Sequence, residues 1–242
     1  MSPPSANIAK DISEDGYALL AEVFSAVECG QLASELELAL SICRDDATAL
    51  RRSNGSLYGA RNLLEIFPAA RSIWQRKPLL VPLREMLGND FGLVRGLFFD
   101  KSPESNWSLP WHQDLTIAVQ DNSLPSLQFK NATRKAGVPH VEAPRQLLEQ
   151  MLTLRIHLDH VTPDNGPLRV LAGSHRANSP TNQDRDTTIL ARAGDVLAMR
   201  PLLFHCSSSA CSPTHLHRRI IHLEFAGCRE LPDGYRWRHF LA

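Results

Sequence analysis

The sequence predicts a mainly β protein, a sandwich or barrel with helices from its first third packed on one side. From Phe91 onward, short β-like runs follow one another with almost no helical pattern between them. Turn chemistry separates them, PDNG at Pro163 to Gly166 and AGD at Ala193 to Asp195. Before Phe91 the apolar residues instead recur at helical spacing. No internal repeat or low-complexity linker divides the 242 residues. A single domain is therefore expected over residues 1–242, with a helix-rich region over residues 1–90, a β core over 91–225 and a C-terminal tail over 226–242.

GYALLAEVF (16–24) reads as a short strand, after which Ser25 caps a helix in AVECGQLASELELALSICRDD. Helical stretches are also expected in PAARSIWQ (68–75) and in PLLVPLREMLG (78–88), where Pro78 suits a first turn. The strand candidates are FGLVRGLFFD (91–100), LTIAV (115–119), MLTLRIHLDHV (151–161), GPLRVLAG (166–173), DVLAMRPLLF (195–204) and RRIIHLEFA (218–226). The connection 120–150 is too long for a turn. It contains a short helical pattern, PRQLLEQM, and is expected to form a lid over a site.

Composition excludes several function classes. Lys plus Arg and Asp plus Glu both number 26, so the overall charge balance points to no nucleic-acid or anionic-membrane partner. No run approaches the roughly 20 apolar residues needed to span a bilayer, and the first residues lack an apolar stretch after a basic start. Cys29, Cys43, Cys206, Cys211 and Cys228 are odd in number and form no paired framework. These features fit free thiols and a cytoplasmic protein acting on a small molecule.

The densest chemistry lies in FHCSSSACSPTHLHRR (204–219). Cys206, Cys211, His215 and His217 are zinc-ligand types, but structural zinc sites pair their ligands across two separated knuckles, and these four would crowd one loop. The other reading takes one histidine from this stretch and its partners from upstream. In WHQD (111–114), His112 and Asp114 leave an extended chain on one face, and a third ligand from a neighbouring strand completes two histidines and a carboxylate. Such a facial set leaves positions open on Fe(II) for a chelating cosubstrate and O2. With 10 histidines and 26 acidic residues, about one His-x-acid pair is expected by chance. The chain has four, at His112/Asp114, His140/Glu142, His157/Asp159 and His222/Glu224. The last two lie inside strand-like runs, where a polar face alternating with an apolar one explains them. WHQD sits where a polar loop, SPESNWSLP, enters a strand, so a metal there would be open to substrate.

WHQD, then HLDHVTPDNGPLRVLAGSH, then AGDVLAMRPLLFHCSS, then RRIIHLEF, in that order, resembles the phytanoyl-CoA dioxygenase family of non-haem Fe(II), 2-oxoglutarate-dependent oxygenases. The likeness covers roughly 91–225, and GYALLAEVFSAVECGQL is similar to the family's opening strand and helix. It implies a double-stranded β-helix, the cupin-like jelly roll, with iron bound by His112, Asp114 and His205. It also implies an arginine after the distal histidine that pairs with the far carboxylate of 2-oxoglutarate, here Arg218 or Arg219. Lys101 in FFDKSPE matches a family lysine that contacts the cosubstrate. Cys206, Cys211, His215 and His217 then become bystanders. The loop after His205 is longer than usual and lacks the customary Gly and Asn. The implied reaction hydroxylates a small-molecule substrate and releases succinate and CO2. Asp114 argues against halogenation, because the related halogenases carry a small residue in its place.

Strand parity refines two positions. In RRIIHLEFA, Arg218, Ile220, His222 and Glu224 share one face, while Arg219, Ile221, Leu223 and Phe225 share the other, apolar one. Arg218 is thus the expected cosubstrate residue. In MLTLRIHLDH the polar face is Thr153, Arg155, His157 and Asp159, which makes Arg155 a second candidate for an acidic group on cosubstrate or substrate. Two other readings compete: a cupin-like metal enzyme with the same triad but no 2-oxoglutarate, and a non-catalytic jelly-roll binding module. The arginines and Lys101 speak against the first, and the complete triad against the second.

Overall fold

A computed structural model describes residues 7–43, 48–102, 105–176, 185–211 and 216–242. The chain enters through α1 (Ile8–Glu14), β1 (Tyr17–Leu20) and α2 (Ala26–Ile42), then a hairpin of β2 (Ala49–Arg51) and β3 (Leu57–Ala60). Next come α3 (Leu63–Ile66), a 3-10 turn at Pro68–Arg71 and α4 (Lys77–Leu87). The strands β4 (Gly92–Lys101), β5 (Leu109–His112), β6 (Thr116–Ala118), β7 (Lys130–Lys135) and β8 (Val138–Glu142) follow. After α5 (Arg145–Leu148) come β9 (Met151–His157), β10 (Leu168–Leu171), β11 (Asp186–Ile189), β12 (Val196–Met199), β13 (His205–Ser207) and β14 (Arg218–Ala226).

The strands form a seven-stranded sheet in the order β1-β12-β9-β14-β4-β3-β2, a four-stranded sheet β11-β10-β13-β5, and a small sheet β6-β8-β7. The two larger antiparallel sheets make the expected double-stranded β-helix. Its outer face is apolar: Leu152, Leu154 and Ile156 of β9 and Ile221, Leu223 and Phe225 of β14 join one core with Leu36 and Leu40 of α2 and Leu79 and Leu83 of α4. Trp74, Phe91 and Phe225 meet edge-on there, with centroids 5.3 to 6.1 Å apart. Such pairs add about 0.5–1.5 kcal/mol each beyond their buried area. All seven residues of β9 are buried although they alternate in polarity, because the polar set faces the interior of the roll. Ser25 caps α2 through a reciprocal box: its hydroxyl accepts from the Glu28 amide, and Glu28 accepts from the Ser25 amide at 2.8 Å.

Three segments depart from the sequence reading. The helix-rich region also holds the β2–β3 hairpin, whose Asn54–Gly55 turn places Gly55 at φ +82°. PAARSIWQ shrinks to the single 3-10 turn at Pro68–Arg71. The stretch 120–150 keeps the short helix α5 but also carries the β7–β8 hairpin, paired through β8 to β6. Ala136 at φ +51° and Gly137 at φ +74° make its turn, and a non-glycine residue in the left-handed region is a weak sequence signal for a hairpin. Among the described residues no helix is long and apolar enough to cross a membrane.

Candidate active site

The site begins with one strand register. β13 pairs antiparallel to β5 with His205 opposite His112, which brings their rings to 4.2 Å between centroids. The chain leaves β5 directly after His112. The Asp114 amide donates to Pro201 O at 2.9 Å and Gln113 Nε2 to Leu202 O at 2.5 Å, which ties the turn to the segment leading into β13. Asp114 Oδ1 then lies 4.0 Å from His112 Nε2 and Oδ2 3.7 Å from His205 Nε2. Ligand atoms of these three residues fall within 4.8 Å of one another, and no other such group of three occurs among the described residues.

Backbone carbonyls set the tautomers. His112 Nδ1 sits 2.7 Å from Pro110 O and His205 Nδ1 2.8 Å from Leu203 O. A carbonyl only accepts, so each Nδ1 carries the hydrogen and each Nε2 lone pair turns toward Asp114. Burial pushes the His205 imidazole down to about 4, so it is neutral and available as a ligand. For Asp114 burial acts upward, but His205, His222, His112 and Arg155 together hold its carboxyl below the usual value. Two imidazoles and one carboxylate on one side of a cavity fit a mononuclear Fe(II) site with open positions.

The opposite wall is the polar face of β4, β14 and β9. Register places Arg218 beside Lys101, His222 between Leu97 and Arg155, and Glu224 between Arg95 and Thr153. Together with the triad these strands enclose a cavity of about 310 Å³. Arg155 Nη1 is 3.2 Å from His222 Nδ1, and its Nε is buried without a partner. Arg218 is 2% exposed, lines the cavity, and has no partner for Nε or Nη1. Burial, then repulsion from Arg155, pushes its guanidinium down to about 9. Arg219 lies on the other face, donating through Nε and Nη2 to Asp159 at 2.9 and 2.7 Å and through Nη1 to Glu37 at 2.5 Å.

Of the residues expected from sequence, His112, Asp114, His205, Arg155 and Arg218 converge on this cavity. Lys101 does not join them as a free cavity cation. Its ammonium, buried and pushed down to about 7, is held by Gly166 O at 3.3 Å, Ser207 Oγ at 3.0 Å and Ser208 O, with the Trp107 ring 4.8 Å away. Three acceptors use its three donors, so it braces the wall beside Arg218. His157 hydrogen-bonds Asp195 O at 3.2 Å. Cys206 is buried on the cavity wall, Cys211 is exposed, and His217 pairs with Asp100 at 2.9 Å. His215 lies outside the described residues. Sequence reasoning missed three cavity cations. Arg95 forms a buried pair at 3.2 Å with Glu224, which strand parity places on the Arg218 face, and Arg61 and Lys135 line the same space. The signal for Arg95 was present, since it shares parity with Leu97 and Phe99 inside an apolar strand.

A jelly roll holding a His-x-Asp…His set opposite a buried, unpaired arginine defines the class of mononuclear iron oxygenases that use a 2-oxoacid. The chain belongs to the phytanoyl-CoA dioxygenase family, whose model matches residues 12–219. It is accordingly a 2-oxoglutarate-dependent oxygenase, with Fe(II), 2-oxoglutarate and O2 as its cofactors. The fold is similar to that of AviO1 from Streptomyces viridochromogenes, with a TM-score of 0.67 at 19% identity over 96% of this chain and 99% of that one. HygX from Streptomyces hygroscopicus, whose structure holds nickel and 2-oxoglutarate, superposes with a TM-score of 0.61 at 18% identity over 92% of this chain and 87% of that one. EctD from S. alaskensis gives 0.66 at 20% identity over 92% and 76%. No curated protein matches the sequence.

Proposed function

We propose that the protein hydroxylates a small-molecule substrate, with iron held by His112, Asp114 and His205 and the far carboxylate of 2-oxoglutarate held by Arg218. The observation that carries this reading is the Arg218 guanidinium: it is buried, faces the cavity and leaves two nitrogens without a partner. A buried unsatisfied cation is costly, and a carboxylate that accepts two parallel hydrogen bonds answers both the charge and the fork geometry. A cupin-like enzyme working without 2-oxoglutarate would have no use for it.

Iron bound at the triad supplies the oxidising power the side chains lack, one atom of O2 ending in succinate and the other in the product hydroxyl as CO2 leaves. The chain's own contribution is placement. The carbonyls of Pro110 and Leu203 fix the two imidazoles, the amide bond to Pro201 fixes Asp114, and Arg155, held by His222, sets a positive charge beside Asp114. Residues 1–242 act as one domain in this reading. The 120–150 segment reaches the cavity through Lys135, and the tail 226–242 packs along the roll through the Val119–Trp237 and Leu93–Leu241 bridges.

Purified protein is expected to release succinate from 2-oxoglutarate only with Fe(II) and O2, slowly when no substrate is present. Asp114→Ala should abolish that release. Turnover in metal-free buffer, or an unimpaired Asp114→Ala variant, would overturn the assignment.

A further inference from the structure

The cavity has a second cluster of cations that neither the triad nor Arg218 uses. We propose that Arg61, Arg95 and Lys135 form an anion subsite that binds a phosphate or carboxylate group of the oxidised substrate, on the reading that Arg218 takes the 2-oxoglutarate carboxylate.

Position separates the two clusters. Along β14, Arg218 stands opposite Lys101 at one end, and Glu224 stands opposite Arg95 at the other. Six residues of strand put about 20 Å between those ends. His222, level with Arg155 and felt by the Asp114 carboxylate, marks the middle. A five-carbon diacid that reaches from Arg218 toward the triad ends well short of Arg61. A substrate entering from the Arg61 end meets the triad from the other side.

Charge balance shows that the cluster is incomplete. Arg95 is paired with Glu224 at 3.2 Å, and Glu224 is the one carboxylate lining that end among the described residues. The Arg61 side chain has no acceptor among the described residues, and Lys135 Nζ donates only to the Thr116 hydroxyl at 2.9 Å. Burial and then Arg95 lower the affinity of both Arg61 and Lys135 for their protons, and Arg61 also repels Lys135. Glu224, already paired with Arg95, and Asp114 offset Lys135 only in part, and two neighbouring cations without an acidic partner of their own cost stability that a bound anion would offset.

The three cations also come from elements that the fold ties together at this point. Arg61 follows β3, Arg95 lies on β4, and Lys135 ends β7 at the hairpin turn. Asn62, held at φ +56°, donates through Nδ2 to Ala136 O at 3.0 Å, so the residue after Arg61 clasps the residue after Lys135. The hairpin in the 120–150 segment therefore delivers a cation to the cavity.

The test uses the full chain loaded with Ni(II) and saturating 2-oxoglutarate, titrated with inorganic phosphate or acetate at constant ionic strength and followed by calorimetry. Phosphate or acetate should bind above the chloride background, and whichever binds tighter marks the substrate as a phosphoester or a carboxylic acid. Arg61→Gln and Lys135→Gln should each weaken that binding about tenfold, the loss of one charge-assisted hydrogen bond, while Arg61→Lys retains most of it. Melting curves without anion establish that each variant is folded. Binding of neither anion, or equal affinity in all variants, overturns the subsite. So does 2-oxoglutarate affinity that falls with Arg61 or Lys135 while Arg218→Ala leaves it intact. If Arg218→Ala leaves 2-oxoglutarate affinity unchanged but phosphate still depends on Arg61 and Lys135, the cosubstrate assignment fails and the anion subsite stands.

Discussion

Arg218 and Arg219 are consecutive on β14 and meet opposite surroundings. Arg219 is neutralised by Asp159 and Glu37, which also hold its proton more tightly than usual, whereas Arg218 is buried against the cavity with two nitrogens unpaired. One residue of parity decides between a guanidinium held in ion pairs and one that faces the cavity with unpaired nitrogens.

Kinetics distinguishes the two. A buried carboxylate that loses its guanidinium partner forfeits on the order of 3 kcal/mol, so Arg218→Ala should raise the 2-oxoglutarate KM about a hundredfold. Arg219→Ala should change it less than about threefold and act mainly on stability, by about 1 kcal/mol. Succinate release at graded 2-oxoglutarate decides between them, and a larger KM effect at Arg219 would mean that the long loop after His205 shifts the register.

Much of this arrangement is readable from the chain because local periodicity encodes it. The alternation in β9 and β14 separates the apolar core face from the cavity face, and the Ser25–Glu28 box marks the start of α2. What stays hidden depends on long-range partners. Lys101 has suitable chemistry for a cosubstrate contact, but Gly166, Ser207 and Ser208, remote in sequence, take its donors. Arg61 and Lys135 converge only because the β7–β8 turn docks on Asn62, and an Ala–Gly turn with no Asn gives little warning of that hairpin.

Stability of the metal-free protein should fall on acidification below neutrality. Burial pushes His140 from 6.5 down to about 4 and His157 down to about 3, the latter with help from Arg155. From pH 6.5 downward the unfolded chain therefore binds protons that the folded chain refuses. The contribution is whole above pH 6.5 and is lost toward pH 4 and pH 3, at up to about 1.4 kcal/mol per histidine per pH unit. Melting temperatures of the metal-free protein between pH 7.5 and pH 5 should drop by several degrees, about 2–4 °C for each kcal/mol. A flat profile over that range would contradict the burial of these rings, and His157→Gln should shallow the slope.

Thiol reactivity gives an independent check on the 204–219 stretch. Cys211 is exposed, whereas burial raises the Cys206 thiol and pushes Cys29 up to about 11. A maleimide at pH 7 should label Cys211 first, and should reach Cys206 and Cys29 only on unfolding, as mass spectrometry of the peptides would show. Because these cysteines carry no metal in this reading, EDTA should leave the Cys211 rate unchanged. Acceleration by EDTA would revive a zinc site.

The His-x-acid pairs should behave differently when their members are removed. Asp159 is taken by Arg219, and Glu224 by Arg95 and by His222 Nε2 at 3.4 Å, so neither carboxylate is free and neither pair has a third ligand in reach among the described residues. Asp114 alone faces two Nε2 atoms whose Nδ1 hydrogens are already committed to carbonyls. Asp114→Ala should therefore reduce bound iron from about one per chain to background while the fold persists, because in the proposed reading its carboxylate is a ligand and not a packing group. Asp159→Ala should keep iron near one per chain and lose about 1–3 kcal/mol of stability, since Arg219 loses the partner of three hydrogen bonds, its backbone amide included. His157→Ala should likewise keep its iron. Metal analysis of the three variants beside their melting curves separates ligand from scaffold, and loss of iron in either the Asp159 or the His157 variant would place the metal at the wrong pair.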